Sequence, residues 1–183
     1  VAIGAHLAKK VNIPAQEASK ILDAVSFLKE ADENSDNKPL LGRRVAIYGG
    51  GNTAMDAART AKRLGADEAM IIYRRDREHM PAHEFEADEA LSEGVKIHWL
   101  STIKNMETSS ITVEKMQVVN GKAVPTGEYE TLEADSLILA LGQEADTDFL
   151  KHIEGITFKE DGTTVEVNPS MMTGYPGIFA GGD

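Results

Sequence analysis

The 183-residue chain predicts an α/β domain in which a parallel sheet is layered with helices and one crossover is an antiparallel meander. Three observations predict it. β-prone runs at 44–48 and 68–73 flank a glycine-rich turn and a helix-period segment, which is the pattern of a strand–helix–strand unit. Asn120-Gly121, the strongest short hairpin signal, lies between two β-prone runs where a crossover helix would otherwise stand. The segment from Ser136 to Leu141 is a continuous apolar run, as expected of a strand inside a sheet.

The elements follow in order. Val1 to Ala5 reads as a short buried strand, and a strand needs partners for its edges. Pro14 suits a first helical position, and Ile21, Leu22, Val25 and Leu28 keep a helical stripe through "QEASKILDAVSFLKEA", predicting a helix. "DENSDNKP", Asp32 to Pro39, is polar and ends in proline, so it reads as a linker, with the core domain starting near Leu40. Arg44 to Tyr48 is a strand, Gly49 to Gly51 a turn, Asn52 to Leu64 a helix stopped by Gly65, and Glu68 to Tyr73 the second strand. A helix is predicted over His83 to Ser92, ended by Gly94, and a third strand over Val95 to Leu100. After the meander, "VEVNPSMMTGYPGIFAGGD" holds a short strand, a turn at Gly174 to Gly177 and a last apolar run.

Bulk properties exclude several classes. A net charge of −11 and a pI near 4.9 oppose nucleic-acid binding, which needs a basic footprint to displace counterions. The chain has no cysteine, which removes disulfides, thiolate metal sites and a Cys-x-x-Cys redox pair from it. No window approaches the about 18 continuous apolar residues of a membrane span, so no membrane partner and a cytoplasmic location are expected.

Gly49-Gly50-Gly51-Asn52-Thr53-Ala54 fits G-x-G-x-x-[G/A] after a strand and at the start of a helix, which makes the fold class Rossmann-like with three layers. Gly49 permits a sharp turn, Gly51 lets the backbone approach a pyrophosphate, and Ala54 is small enough for the helix to pack on the sheet. The helix start adds free N–H groups and a positive dipole end, and Thr53 adds a hydroxyl. In such a site the end of the second strand lies beside the adenosine ribose, where an acid accepts a 2′-hydroxyl and arginine accommodates a 2′-phosphate. Here that place holds Arg74 and Arg75, with 74 − 49 = 25 residues between Gly49 and Arg74. The pair predicts NADP(H) over NAD(H). Arg77 either joins them or pairs with a neighbouring acid. His79 and His83 are four apart, but Pro81 breaks a shared helical face, so no metal site is expected. His98 and Trp99 read as packing residues on the third strand, and no spacing supports a catalytic acid, base or nucleophile.

"GGGNTAMDAARTAKRLGA", "YRRDREHMPA", "ADSLILALGQ" and "TGYPGIFAGGD" together resemble the NADPH-dependent glutamate synthase small-subunit family of flavoprotein oxidoreductases, over nearly the whole chain. The resemblance implies two nested dinucleotide-binding domains, the NADPH domain being inserted within an FAD domain. On that pattern residues 1–37 are the outgoing FAD-domain strand with a connecting helix and linker, 38–177 the NADP(H)-binding domain, and 178–183 the returning FAD-domain strand. It further implies that Asp183 contacts the flavin's ribityl and phosphate region, that Gly142 and Gln143 lie on the nicotinamide side of the cleft, and that hydride passes from NADPH to FAD N5. The implied partners are the FAD domain of a full-length chain and a large or other electron-accepting subunit. The family's FAD fingerprint and its N-terminal iron–sulfur cysteines are absent from this sequence. Thioredoxin reductases share the nested plan, but their dithiol route needs cysteines that this chain lacks. Two other classes stay open: an NADP-sensing binding module, and a free-standing dehydrogenase, which would need a proton-transfer residue of its own.

Overall fold

The computed structural model describes residues 2, 7–8, 11–15, 20–32, 39–144 and 146–181. In chain order the elements are β1 (Leu7–Ala8), β2 (Lys20–Asp23), α1 (Ala24–Asp32), β3 (Arg44–Tyr48), α2 (Asn52–Arg63), β4 (Glu68–Ile72), α3 (Glu84–Ser92), β5 (Lys96–His98), β6 (Ser101–Met106), β7 (Ser110–Val119), β8 (Lys122–Glu133), β9 (Ser136–Leu139) and β10 (Gln143–Glu144), followed by a 3-10 turn at Asp148–His152. They fall into two compact units, one of Lys10–Gly142 and one of Val1–Lys9 with Gln143–Asp183.

The larger unit is built on a five-stranded parallel sheet in the order β2-β9-β3-β4-β5. Alternation along each strand sends side chains to opposite faces. Val45, Ile47, Ala69, Ile71 and Ile138 pack with residues of α1, α2 and α3, while Ala46, Met70, Ile72 and Leu137 pack with Ile103, Ile111 and Val113. Ile103, Ile111 and Val113 come from β6 and β7, which with β8 form a three-stranded antiparallel sheet. The three layers are therefore helices, parallel sheet and antiparallel meander, as the sequence predicts. α2 comes close to the sheet because it buries Ala54, Ala57, Ala58 and Ala61, none of which holds the helix away. The hairpin turns at Asn120 and Gly121, with φ of 51° and 73°, the pair of positive values that a type I′ turn requires.

Two expectations differ from the structure. Within the predicted first helix, Lys20–Asp23 is a strand, paired in parallel with β9 from Lys20↔Ser136 to Asp23↔Leu139. α1 begins only at Ala24, where the Asp23 carboxylate accepts the Ser26 N–H at 2.9 Å as an N-terminal cap. Ile21 and Leu22 satisfy either period. The exposed edge of β9 decides for strand, because it offers backbone partners that no local pattern reveals; residues 16–19 lie outside the described residues. The third strand also stops early, at His98. Leu100 then takes φ of 49°, a left-handed conformation that swings the chain out of the parallel sheet and into β6.

The smaller unit pairs β1 with β10 in antiparallel fashion, Leu7↔Glu144 and Ala8↔Gln143. Its tail holds isolated bridges, Phe158↔Val165 and Met172↔Phe179, where a short strand and a last apolar run are expected. A Cβ on Gly174 would lie 1.9 Å from the Gly155 carbonyl oxygen, so this turn can close only on glycine. Most of the predicted opening strand, Val1 and residues 3–5, lies outside the described residues, as do Gly182 and Asp183.

Candidate functional site

From β3 the chain moves through β4 and β5 on one side, then returns by the meander to β9 on the other. Strand order thus reverses beside β3, and in open parallel sheets ligands sit at the carboxyl ends of strands flanking such a reversal. Gly49–Gly51 leaves β3 at that end.

The three glycines are needed for different reasons. Gly49, with φ of 153°, donates its N–H to the Ile72 carbonyl at 3.2 Å, and a Cβ there would stand 2.1 Å from the Ala140 carbonyl oxygen. The turn is wedged between the ends of β4 and β9. A Cβ at Gly50 would meet the Tyr73 ring at 2.4 Å. Gly51 is different: its φ of −92° and ψ of 176° suit any residue, and a Cβ would meet no protein atom within 4 Å. The protein itself does not require glycine at 51, and the space before it is open to a ligand. No side chain caps the first turn of α2; the Ala54 N–H bonds back to the Gly51 carbonyl at 2.9 Å, and the positive dipole end of the helix suits an anion. Asn52 and Thr53 open this helix, and Ala54 is fully buried under it.

The segment 73–83 is laid over this turn. The Tyr73 hydroxyl donates to the His79 carbonyl at 2.6 Å, the Ala82 N–H to the Gly50 carbonyl at 3.0 Å, and the His83 N–H to Asn52 Oδ1 at 3.0 Å. Asp76 Oδ1 accepts the His79 N–H at 3.1 Å and faces its Nδ1 at 2.5 Å, and this hydrogen bond holds the Asp76 carboxyl below its usual range. Arg77 pairs with Asp88 at 2.6 Å, the second of its two sequence readings. Arg74 and Arg75 are treated differently by the fold. Among the described residues no carboxylate pairs with either, and Arg75 Nε is buried with no hydrogen-bond partner. Both line a cleft of about 240 Å³.

An orphaned guanidinium N–H, an uncapped helix start and free space before Gly51 fit a phosphorylated dinucleotide. The neighbouring groups are structural. His79 belongs to the Asp76 turn, His83 caps α3 and stacks on Phe85 at 5.6 Å between centroids, and Trp99 meets Tyr73 edge-on at 6.3 Å. Burial lowers the His98 pKa.

Gly142, with φ of 92°, follows β9 at its carboxyl end in the larger unit, while Gln143 starts β10 in the smaller one. Asp183 lies outside the described residues. Sequence reading missed Tyr73 as the lid on Gly50 and Asn52 as the acceptor for the loop. A tyrosine opening the loop that follows the second strand was the available signal. It also missed Gly121, Lys122 and Ala123, which line the arginine cleft from the hairpin tip and carry no local signal for it.

Similar proteins agree with this architecture. The chain is 36% identical, over its whole length, to the NADP(+)-dependent formate dehydrogenase subunit beta of Moorella thermoacetica, of which it covers 27%. It is 31% identical to the glutamate synthase [NADPH] small chain of Azospirillum brasilense, again over the whole chain and covering 42% of that protein. It therefore spans less than half the length of these relatives. Among solved structures, thioredoxin reductase from T. acidophilum superposes with a TM-score of 0.70 at 18% identity, covering 96% of this chain and 54% of that one. FprA from Mycobacterium tuberculosis in complex with NADPH gives 0.68 at 18%, covering 94% and 54%. The sequence matches the pyridine nucleotide-disulphide oxidoreductase family over residues 1–183, and the chain belongs to that family.

Proposed function

We propose that this chain is the NADPH-binding domain of a longer flavoprotein of the glutamate synthase small-subunit type. The observation that carries the reading is the pair Arg74 and Arg75, left without carboxylate partners in a protein of net charge −11 and joined through segment 73–83 to the glycine turn. Two arginines without an acid partner, beside a glycine turn of this kind, suit a 2′-phosphate. Gly49, Gly50, Gly51, Asn52, Thr53 and Ala54 hold the pyrophosphate, and Gly142 and Gln143 stand on the nicotinamide side. Residues 38–177 form the NADP(H) domain, flanked by 1–37 and 178–183 as parts of an FAD domain that Asp183 joins to the flavin. Held by these residues, NADPH would supply hydride-transfer chemistry toward the flavin of the FAD domain. The residues of this chain bind and orient the nucleotide and exclude water; the reaction asks no acid or base of them. Onward electron transfer to glutamate synthesis through a large subunit is the end use that the glutamate synthase relatives favour.

The test is anaerobic mixing of the full-length protein with NADPH or NADH, following flavin reduction. NADPH is expected to reduce the flavin with an apparent affinity on the order of a hundredfold above that of NADH. Tight binding of NADPH without flavin reduction would favour an NADP-sensing module instead, and equal use of both nucleotides would remove the assignment of the arginines. The 183-residue chain alone is expected to bind NADPH and to show no oxidation of it with added FAD.

A further inference from the structure

The arginine cleft has a second wall. Across from Arg74 and Arg75 it is lined by Gly121, Lys122 and Ala123, the tip of the β7–β8 hairpin, 122 − 75 = 47 residues further along the chain. This approach is held by the backbone. The Leu100 N–H donates to the Arg75 carbonyl at 3.1 Å, and the Met116 N–H donates to the Leu100 carbonyl at 2.7 Å. Leu100, in its left-handed conformation, thus clasps the arginine loop on one side and β7 on the other. Three residue pairs beyond Met116 the hairpin turns, with Val119 opposite Lys122.

Lys122 shares the condition of the two arginines. Lys104, Lys115 and Lys96 pair with Glu114, Glu130 and Glu68, whereas among the described residues no carboxylate pairs with Lys122. Three cationic residues therefore line one cleft of about 240 Å³, and among the described residues no carboxylate pairs with any of them. Mutual repulsion of three cations is tolerable only in water or with an anion between them. A dianionic phosphate monoester answers that arrangement.

We propose that the β7–β8 hairpin is a specificity arm: Lys122, at its tip, is the third cation on the nucleotide's 2′-phosphate, closing over the group that Arg74 and Arg75 hold from the other side. The proposal rests on the NADP(H) reading above. It gives the meander a role beyond covering the sheet, since its hairpin tip reaches the arginine cleft.

The test is competition binding on the full-length protein with adenosine 2′,5′-bisphosphate and adenosine 5′-monophosphate, alongside NADPH and NADH. Lys122→Ala is expected to weaken the bisphosphate and NADPH about five- to tenfold and to leave the monophosphate and NADH unchanged. Lys122→Arg should retain affinity, Lys122→Glu should lose more than Lys122→Ala, and the loss should shrink as salt screens the exposed charge. Lys159→Ala, the same charge change at an exposed lysine of the smaller unit, should change nothing. If wild type prefers the bisphosphate and Lys122→Ala matches wild type, the arm is refuted while the NADP(H) reading stands. If wild type shows no preference for the 2′-phosphate, both fall together.

Discussion

The ring of Tyr73 lies 2.4 Å from where a Cβ at position 50 would stand, so the residue that opens the arginine loop also keeps position 50 a glycine. Gly50→Ala must displace that ring, and with it the bond from the Tyr73 hydroxyl to the His79 carbonyl. Overpacking of this kind typically costs about 1–3 kcal/mol. Denaturant unfolding should register the loss, and Tyr73→Ala should partly restore stability in the double variant by opening the space. Additive losses would show that the two residues do not compete.

Gly49 and Gly51 should separate fold from function. Gly49→Ala drives a methyl to 2.1 Å from the Ala140 carbonyl oxygen, and unfolding at lower denaturant is expected with or without nucleotide. Gly51→Ala meets no protein atom within 4 Å and has an ordinary extended backbone, so nucleotide-free stability should hold or rise slightly. The same methyl occupies the approach to the pyrophosphate, and NADPH affinity should fall by about tenfold or more. A Gly51→Ala protein that binds NADPH normally would remove the dinucleotide assignment of this turn.

Arg75 Nε is buried with no hydrogen-bond partner, and such a group costs about 1–3 kcal/mol. Arg75→Met keeps much of the stem's packing and removes the orphan. Its melting temperature without nucleotide should be at or above that of wild type, while the increment that NADPH adds should shrink. Thermal melts at several NADPH concentrations decide the matter; a variant less stable without nucleotide would mean that the arginine is structural.

Asp135 ties the starts of β3 and β9 together. Its carboxylate accepts the Arg43 N–H at 2.9 Å and the Arg44 N–H at 2.8 Å, and it pairs with the Arg44 guanidinium at 3.0 Å. The Arg44 side-chain hydrogen bond is the main cause that holds its pKa below the ordinary 3.8. A carboxyl whose folded pKa is depressed contributes stability fully above its unfolded pKa and loses it as pH falls through the folded value. Asp135→Asn should therefore be less stable than wild type near neutral pH, with the gap closing below about pH 4. Calorimetric melts from pH 7 downward check this, and a gap independent of pH would contradict it.

Much of this molecule was legible as local pattern. The strand at 44–48, the glycine turn, the alanine-rich helix and the Asn120-Gly121 hairpin each depend on neighbours within a few residues, so propensity and spacing reveal them. The place of Arg74 and Arg75, just after the second strand of the unit, was legible for the same reason.

What the sequence determined by itself is therefore the strand–turn–helix–strand unit, with its glycine turn and the place of Arg74 and Arg75 after the second strand; what only tertiary structure decided lies in contacts between distant segments. Ile21 and Leu22 suit helix and strand alike until the open edge of β9 supplies hydrogen bonds to Lys20–Asp23. Tyr73 becomes the cover of Gly50, and Lys122 the far wall of the arginine cleft, only because Leu100 turns the chain and bonds both Arg75 and Met116. A periodic pattern records which face of an element is apolar. It does not record which other element will cover that face, and here that pairing brings the hairpin tip to the arginine cleft.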